Sequence, residues 1–333
     1  MKDFPTTVEA STEESTQPPL LGGAVRSYFW NYKGKPITAT YEVVGEGKPV
    51  LLLPALSTIS TRAEMRGLAN LLSDRYQVVA LDWVGFGQSD RPAITYTAAF
   101  YQTLLKEFVR SIFSEPVVVI AAGHSVNYVM ELVSRQPPLW SWVVLVAPTW
   151  RGPLPTAMGE RRKLYKLLQR AIRLPIVGQL LYWLTTLPPF LRLMSGRHVL
   201  ADRQHLTRDW MRQKWRTTQQ PGARFASAAF VTGGLDALRT QEQWLTWFQP
   251  LPLPVLVVIG EQVPPKSRTE MEVLAHFTAV QVYRMPGSLG LHEEYPEALG
   301  EAVLPFLNKW MGQTAMPQTD NENAVGDRLS KET

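Results

Sequence analysis

An α/β protein is what this sequence predicts: a mostly parallel, eight-stranded sheet flanked by helices, with a helical cap inserted late in the chain. Three observations predict it. Six short runs are apolar without polar alternation: "PVLLLP" (49–54), "YQVVALD" (76–82), "PVVVIAA" (116–122), "WVVLVAP" (142–148), "PVLVVIG" (254–260) and "VQVYRM" (280–285). Such runs, separated by helix-length segments, are the pattern of strands buried on both faces of a parallel sheet. Ahead of them, "SYFWNYKG" (27–34) and "KPITATYEVVG" (35–45) alternate around a turn, as an antiparallel hairpin does. Finally, about 100 residues separate the strand ending near Ala147 from the one starting near Pro254, where a simple crossover needs roughly 10–30. The surplus must form structure of its own.

The elements follow in order. The opening "MKDFPTTVEASTEESTQPPL" (1–20) lacks a basic region followed by an apolar core, so no secretory leader is expected. It has the composition of a disordered tail, as does 313–333. Residues 21–147 and 251–312 are assigned to the sheet-bearing core. The cap is assigned to 148–250, where "GERRKLYKLLQRAIRL", "VGQLLYWLTTL" and "RDWMRQKWRTTQQ" have helical patterns separated by Pro and Gly. Such a cap covers the carboxyl edge of the sheet, where open α/β sheets bind ligands.

Composition narrows the function classes. The 333 residues are 45% apolar and 19% charged, enough for a substantial core. The net charge of +5 comes without a dense Lys/Arg stripe, which argues against a nucleic-acid partner. With no cysteine, disulfides and thiolate metal sites are excluded, and no metal or cofactor is expected. A reducing, cytoplasmic setting is the expected one. No segment has the roughly 18 uninterrupted apolar residues of a membrane span.

The chemistry concentrates at three strand ends. "LLLPALS" (51–57), "LDWVGFGQSD" (81–90) and "AAGHSVN" (121–127) each follow a predicted strand. In this order they resemble the α/β-hydrolase superfamily, whose D-x-x-G-x-G-x-S motif precedes a nucleophile elbow. The resemblance covers about residues 25–312 and implies Ser125 as nucleophile on a sharp strand-to-helix turn. Residues two before and two after the nucleophile must be small there. Gly123 meets that demand, and Asn127 stands where a glycine is usual.

A serine hydroxyl needs a neighbouring base, and the base needs an acid. Relatives carry the base in a pattern like P-G-x-G-H-x-x-x-x-E-x-P. Here "MPGSLGLHEEYPEAL" (285–299) has Leu289 or Gly290 at that place, depending on the end counted from. The nearest imidazole is His292. Where the resemblance implies an aspartate after the penultimate strand, "GEQVPPKSR" (260–268) has Val263, with Glu261 two residues early. The expected triad is therefore degenerate, and its substitute would be Ser125, His292 and Glu261. Asp236 is a remoter candidate acid, and His124 reads as a packed structural histidine. The resemblance further implies oxyanion donors at the backbone amides of Leu56 and Val126.

The cap's basic stretch from Arg151 to Arg173 precedes the apolar, aromatic "LPIVGQLLYWLTTLPPFLRLM" (174–194). This suits an amphipathic or acyl-bearing small molecule, with Arg151 as a substrate-binding cation. It also admits a protein partner or peripheral contact with an anionic membrane. Two functions stay open: ester or acyl hydrolysis through Ser125, and a noncatalytic role in lipid or ligand binding or protein assembly.

Overall fold

The computed structural model describes residues 11–159 and 161–314. Its sheet has nine strands: β1 (Thr12–Glu14), β2 (Ala24–Tyr32), β3 (Lys35–Val44), β4 (Lys48–Leu53), β5 (Tyr76–Leu81), β6 (Val117–Ala122), β7 (Trp140–Val146), β8 (Val255–Gly260) and β9 (Val280–Met285). The spatial order is β1-β2-β3-β5-β4-β6-β7-β8-β9. Pairings from β1 to β5 along that order are antiparallel, and the rest are parallel. The hairpin joining β2 and β3 turns on Lys33 and Gly34, both at positive φ (53° and 79°), as a two-residue turn matched to strand twist requires.

The ninth strand corrects the expected count. Residues 12–14 pair with β2, and the amides of Leu20 and Leu21 donate to the Glu42 carboxylate at 2.8 Å. Residues 12–20 are thus held to the sheet edge rather than forming a tail. The rest of that tail, residues 1–10, lies outside the described residues, as does 315–333.

Thirteen helices are described. α1 (Arg66–Leu72), α2 (Ala98–Ile112) and α3 (Val126–Leu132) precede β7. Between β7 and β8 come α4 (Pro153–Met158), α5 (Arg162–Arg173), α6 (Pro175–Thr185), α7 (Pro188–His198), α8 (Arg208–Thr218), α9 (Ala223–Val231) and α10 (Gln241–Leu245). α11 (Pro265–Glu272), α12 (Leu291–Glu294) and α13 (Pro296–Thr314) complete the chain. Proline opens α4, α6 and α7. Its fixed φ suits a first helical turn, where the missing N–H costs nothing. The chain rejoins the main core before residue 250, because Trp244 and Phe248 are fully buried in it. A smaller cluster of Ile59, Leu191, Leu200, Leu206 and Met211 packs the cap onto the loop after β4.

The "LDWVGFGQSD" segment is a structural knot. Arg62 is fully buried; its backbone N–H and guanidinium both donate to Asp82, the former at 2.6 Å. Its Nε donates to Glu42 at 2.9 Å and its Nη2 to Gln88 at 2.7 Å. Burial alone would push the Glu42 carboxyl up, but the amides of Leu20, Gly23 and Leu21, with Arg62, hold it below its ordinary range. Ser89 donates to the Asp82 carbonyl at 2.6 Å and accepts from Thr40 N–H at 2.8 Å. A Cβ on Gly87 would strike the Asp82 carboxyl.

Candidate functional site

β6 is buried along its whole length and stops at Ala122. The residue that turns the chain is Gly123, at φ +57°. A 3-10 turn over Gly123–Ser125 then leads into α3. Ser125 itself has φ −63° and ψ −21°, ordinary right-handed helical values. The sharp bend expected at Ser125 therefore lies two residues earlier. Counted from Gly123, the two small positions are Ala121 and Ser125, which explains why Asn127 is tolerated. Left-handed φ suits a glycine, and a Cβ at 123 would sit 3.1 Å from Ala55 Cβ.

Ser125 is fully buried, and its hydroxyl donates to the Ala122 carbonyl at 2.6 Å. The Leu53 carbonyl of β4 lies 3.5 Å away. The side chain fills the gap where α3 passes the strand ends rather than standing at the top of the turn. Val126 N–H is directed at the His124 carbonyl inside the turn, so it is not presented as an oxyanion donor. Leu56 is buried, and the amide before it, Ala55 N–H, donates to the Glu64 carboxylate at 2.6 Å.

His292 is nearly fully buried, with Nε2 3.1 Å from Glu64 Oε1. Burial would raise the Glu64 carboxyl, but His292, Lys214 and the Ala55 amide together hold it below its usual range. Glu261 is exposed in the turn after β8, and its carbonyl accepts from Arg268 at 3.2 Å. The arrangement expected among Ser125, His292 and Glu261 is thus not assembled: the serine meets main-chain carbonyls, the histidine meets Glu64, and Glu261 faces solvent. Glu64 is the residue that sequence reasoning missed. Its only signal is that it is the sole acid between residues 51 and 73.

The neighbours of His292 explain "HEE" as a clamp between core and cap. Glu293 accepts Trp210 Nε1 at 3.0 Å and pairs with the buried Lys214 at 2.8 Å. Glu294 accepts the amides of Ala201 at 2.8 Å and Asp202 at 2.6 Å, and lies 3.2 Å from His205 Nδ1.

His124 is also buried, with Nε2 3.1 Å from the Leu235 carbonyl and 3.7 Å from Asp236. Burial pulls its pKa down to about 4 against the opposing pull of Leu235, so the ring is neutral at neutral pH. Asp236 accepts Gly152 N–H at 2.8 Å. Arg151 donates to Glu270 at 2.6 Å and stacks over Trp150 at 4.8 Å. It helps line a cavity of about 370 Å³ between core and cap, with Tyr96, Trp150, Tyr165, Lys166 and Arg239.

Comparison with known proteins matches this architecture. An uncharacterized protein of Mycobacterium tuberculosis is 28% identical over 109 residues, which is 32% of this chain and 31% of that protein's length. The chain thus spans about a third of the length of the curated relatives it matches. The crystal structure of Cfl2 from Burkholderia cenocepacia superposes with a TM-score of 0.67 at 20% identity, covering 89% of this chain and 99% of that one. A thermophilic esterase from Thermogutta terrifontis superposes at 0.64 with 19% identity, covering 85% and 98%. At such identities the likeness is one of fold. The model of the alpha/beta hydrolase family matches residues 50–302, from β4 to α13. That match, taken with the sheet order and the strand-end motifs, makes this chain a member of the alpha/beta hydrolase family.

Proposed function

We propose that this chain is a noncatalytic member of its family that binds an amphipathic anion between core and cap. The observation that carries this reading is the bend: glycine occupies it, and the nearby serine hydroxyl is buried against a main-chain carbonyl. An alcohol in that position has no accessible lone pair for an incoming carbonyl, and among the described residues no imidazole is hydrogen-bonded to it to accept its proton. The ligand class is supported by the cavity, which is lined by the rings of Tyr96, Trp150 and Tyr165 and by the cations Lys166 and Arg239, with Asp236 the single acid among its lining residues and Arg151 held by Glu270. Aromatic rings beside a few convergent cations suit a small molecule with an apolar body and an acidic head.

The test has two arms. A fluorophosphonate probe is expected to label the protein no more than it labels Ser125→Ala, and stoichiometric labelling lost in that variant would restore hydrolysis through Ser125. Decanoate is expected to raise the Tm of the wild-type protein and to do so less for Lys166→Ala/Arg239→Ala. An equal effect on both would remove the cavity as its site.

A further inference from the structure

The large exposed apolar side chains are concentrated on one part of the surface. Of the fourteen such residues among those described, eleven fall between Met158 and Leu193, on α4 to α7 and their joints. On α6, Ile176, Val177, Leu180, Trp183 and Leu184 follow the spacing of one helical face, and Ile176 is 83% exposed. The opposite face of α6 is packed: Gly178 and Tyr182 are buried, and a Cβ on Gly178 would strike the Ile172 carbonyl of α5. α5 and α6 are therefore seated against each other while the outer face of α6 stays bare. On α5, exposed Leu164 and Leu167 run beside the exposed cations Lys163 and Arg170.

The charge around this face is one-sided. From Arg161 to Ala201 the sequence has eight Lys or Arg residues and no Asp or Glu. A protein partner is not needed to match such a surface. A bilayer with anionic headgroups offers both the negative plane and the apolar layer beneath it. α5, α6 and α7 have 12, 11 and 11 residues, and no helix among those described is long and apolar enough to cross a membrane. Short helices with an apolar face flanked by cations lie in the plane of the interface.

From the bare apolar face of α6 and the acid-free basic segment around it, we infer that the cap docks peripherally on anionic lipid bilayers, burying Ile176, Leu180 and Trp183 at the headgroup boundary. The inference is independent of the cavity and of Ser125.

Flotation of the full chain with vesicles tests it. Vesicles of phosphatidylcholine with 30% phosphatidylglycerol are expected to carry the protein up at least tenfold better than pure phosphatidylcholine, and added salt should erode the difference. Leu180→Asp/Trp183→Asp, at exposed sites and checked for a wild-type circular dichroism spectrum, should lose at least tenfold in bound fraction. Lys163→Glu/Arg170→Glu should lose the preference for anionic vesicles. Quenching by brominated lipid should be smaller in Trp183→Phe than in the wild-type chain. Equal flotation with both vesicle types, or a folded Leu180→Asp/Trp183→Asp protein that binds like wild type, would overturn the inference. So would a lipid-free dimer that this variant dissolves, since the face would then belong to a second copy.

Discussion

His124 shows what burial does to one ring. Its folded pKa of about 4 lies below the value of 6.5 expected in an unfolded chain. Stability from this residue is intact above pH 6.5. It is lost as pH falls from 6.5 towards 4, because the unfolded chain takes up the proton first. At 1.36 kcal/mol per pKa unit the full loss is about 3 kcal/mol. Urea unfolding from pH 7.5 to 4.5 should show this decline in the wild-type protein and a flatter one in His124→Gln; identical slopes would assign the decline elsewhere. Ser125 supplies a second test. Ser125→Ala removes a buried hydrogen bond and should cost about 1 kcal/mol. Ser125→Val forces bulk between α3 and the strand ends and should cost about 1–3 kcal/mol. A hydroxyl presented to solvent would tolerate both, so equal unfolding midpoints for all three proteins would contradict the buried placement.

α12 has only four residues, yet each of its last three reaches a different partner. Glu293 is paired with Lys214, whose side chain is 4% exposed. Glu293→Ala leaves that ammonium buried without its counter-charge and should lower stability by about 3–5 kcal/mol. Glu293→Leu/Lys214→Met removes both charges and should recover most of the loss; failure to recover would mean that the pair is not the source. The turn carrying Arg62 follows the same logic, since its guanidinium neutralises Glu42 and Asp82 together. Arg62→Met should be among the most destabilising single changes, about 3–5 kcal/mol by thermal or urea unfolding. The α12 clamp and the Arg62 knot join residues far apart in the chain. Sequence reading placed Asp82, Gly87 and Ser89 correctly after a strand, but had no means of seeing that Arg62 and Glu42 complete the knot.

Across the fold, stability is unevenly distributed. β4, β6, β7 and β8 carry fully buried runs, whereas the outer faces of α5 and α6 are bare. Elements with few buried contacts open locally at lower free energy than those in the core. Amide exchange should therefore be slowest in these four strands and faster by orders of magnitude in α5 and α6. If the two exchanged together, cap and core would be one cooperative unit. Glu64 belongs to this level, because its carboxyl touches the loop after β4 and α12 at once. Held below its ordinary range, it supports the fold above about pH 4.5 and ceases to do so as pH falls further.

The sheet, its parallel character and the helical insertion could be read from residue order, because strands buried on both faces must be continuous apolar runs and a long excess between two of them must fold on its own. The strand-end motifs were equally visible, since tight turns demand small residues at fixed spacing. The register of the central turn was not. The G-x-S order points to Ser125 at the bend, although the small-residue rule is met on both sides only with Gly123 there, flanked by Ala121 and Ser125, since Ser125 would be followed two residues on by Asn127. What chose Gly123 was the close approach of Ala55 and the narrow gap beside Leu53, contacts made by strands distant in the chain. The pairing of His292 with Glu64 was hidden for the same reason: side chains 228 positions apart meet only once the sheet has formed and α12 has packed against the turn after β4.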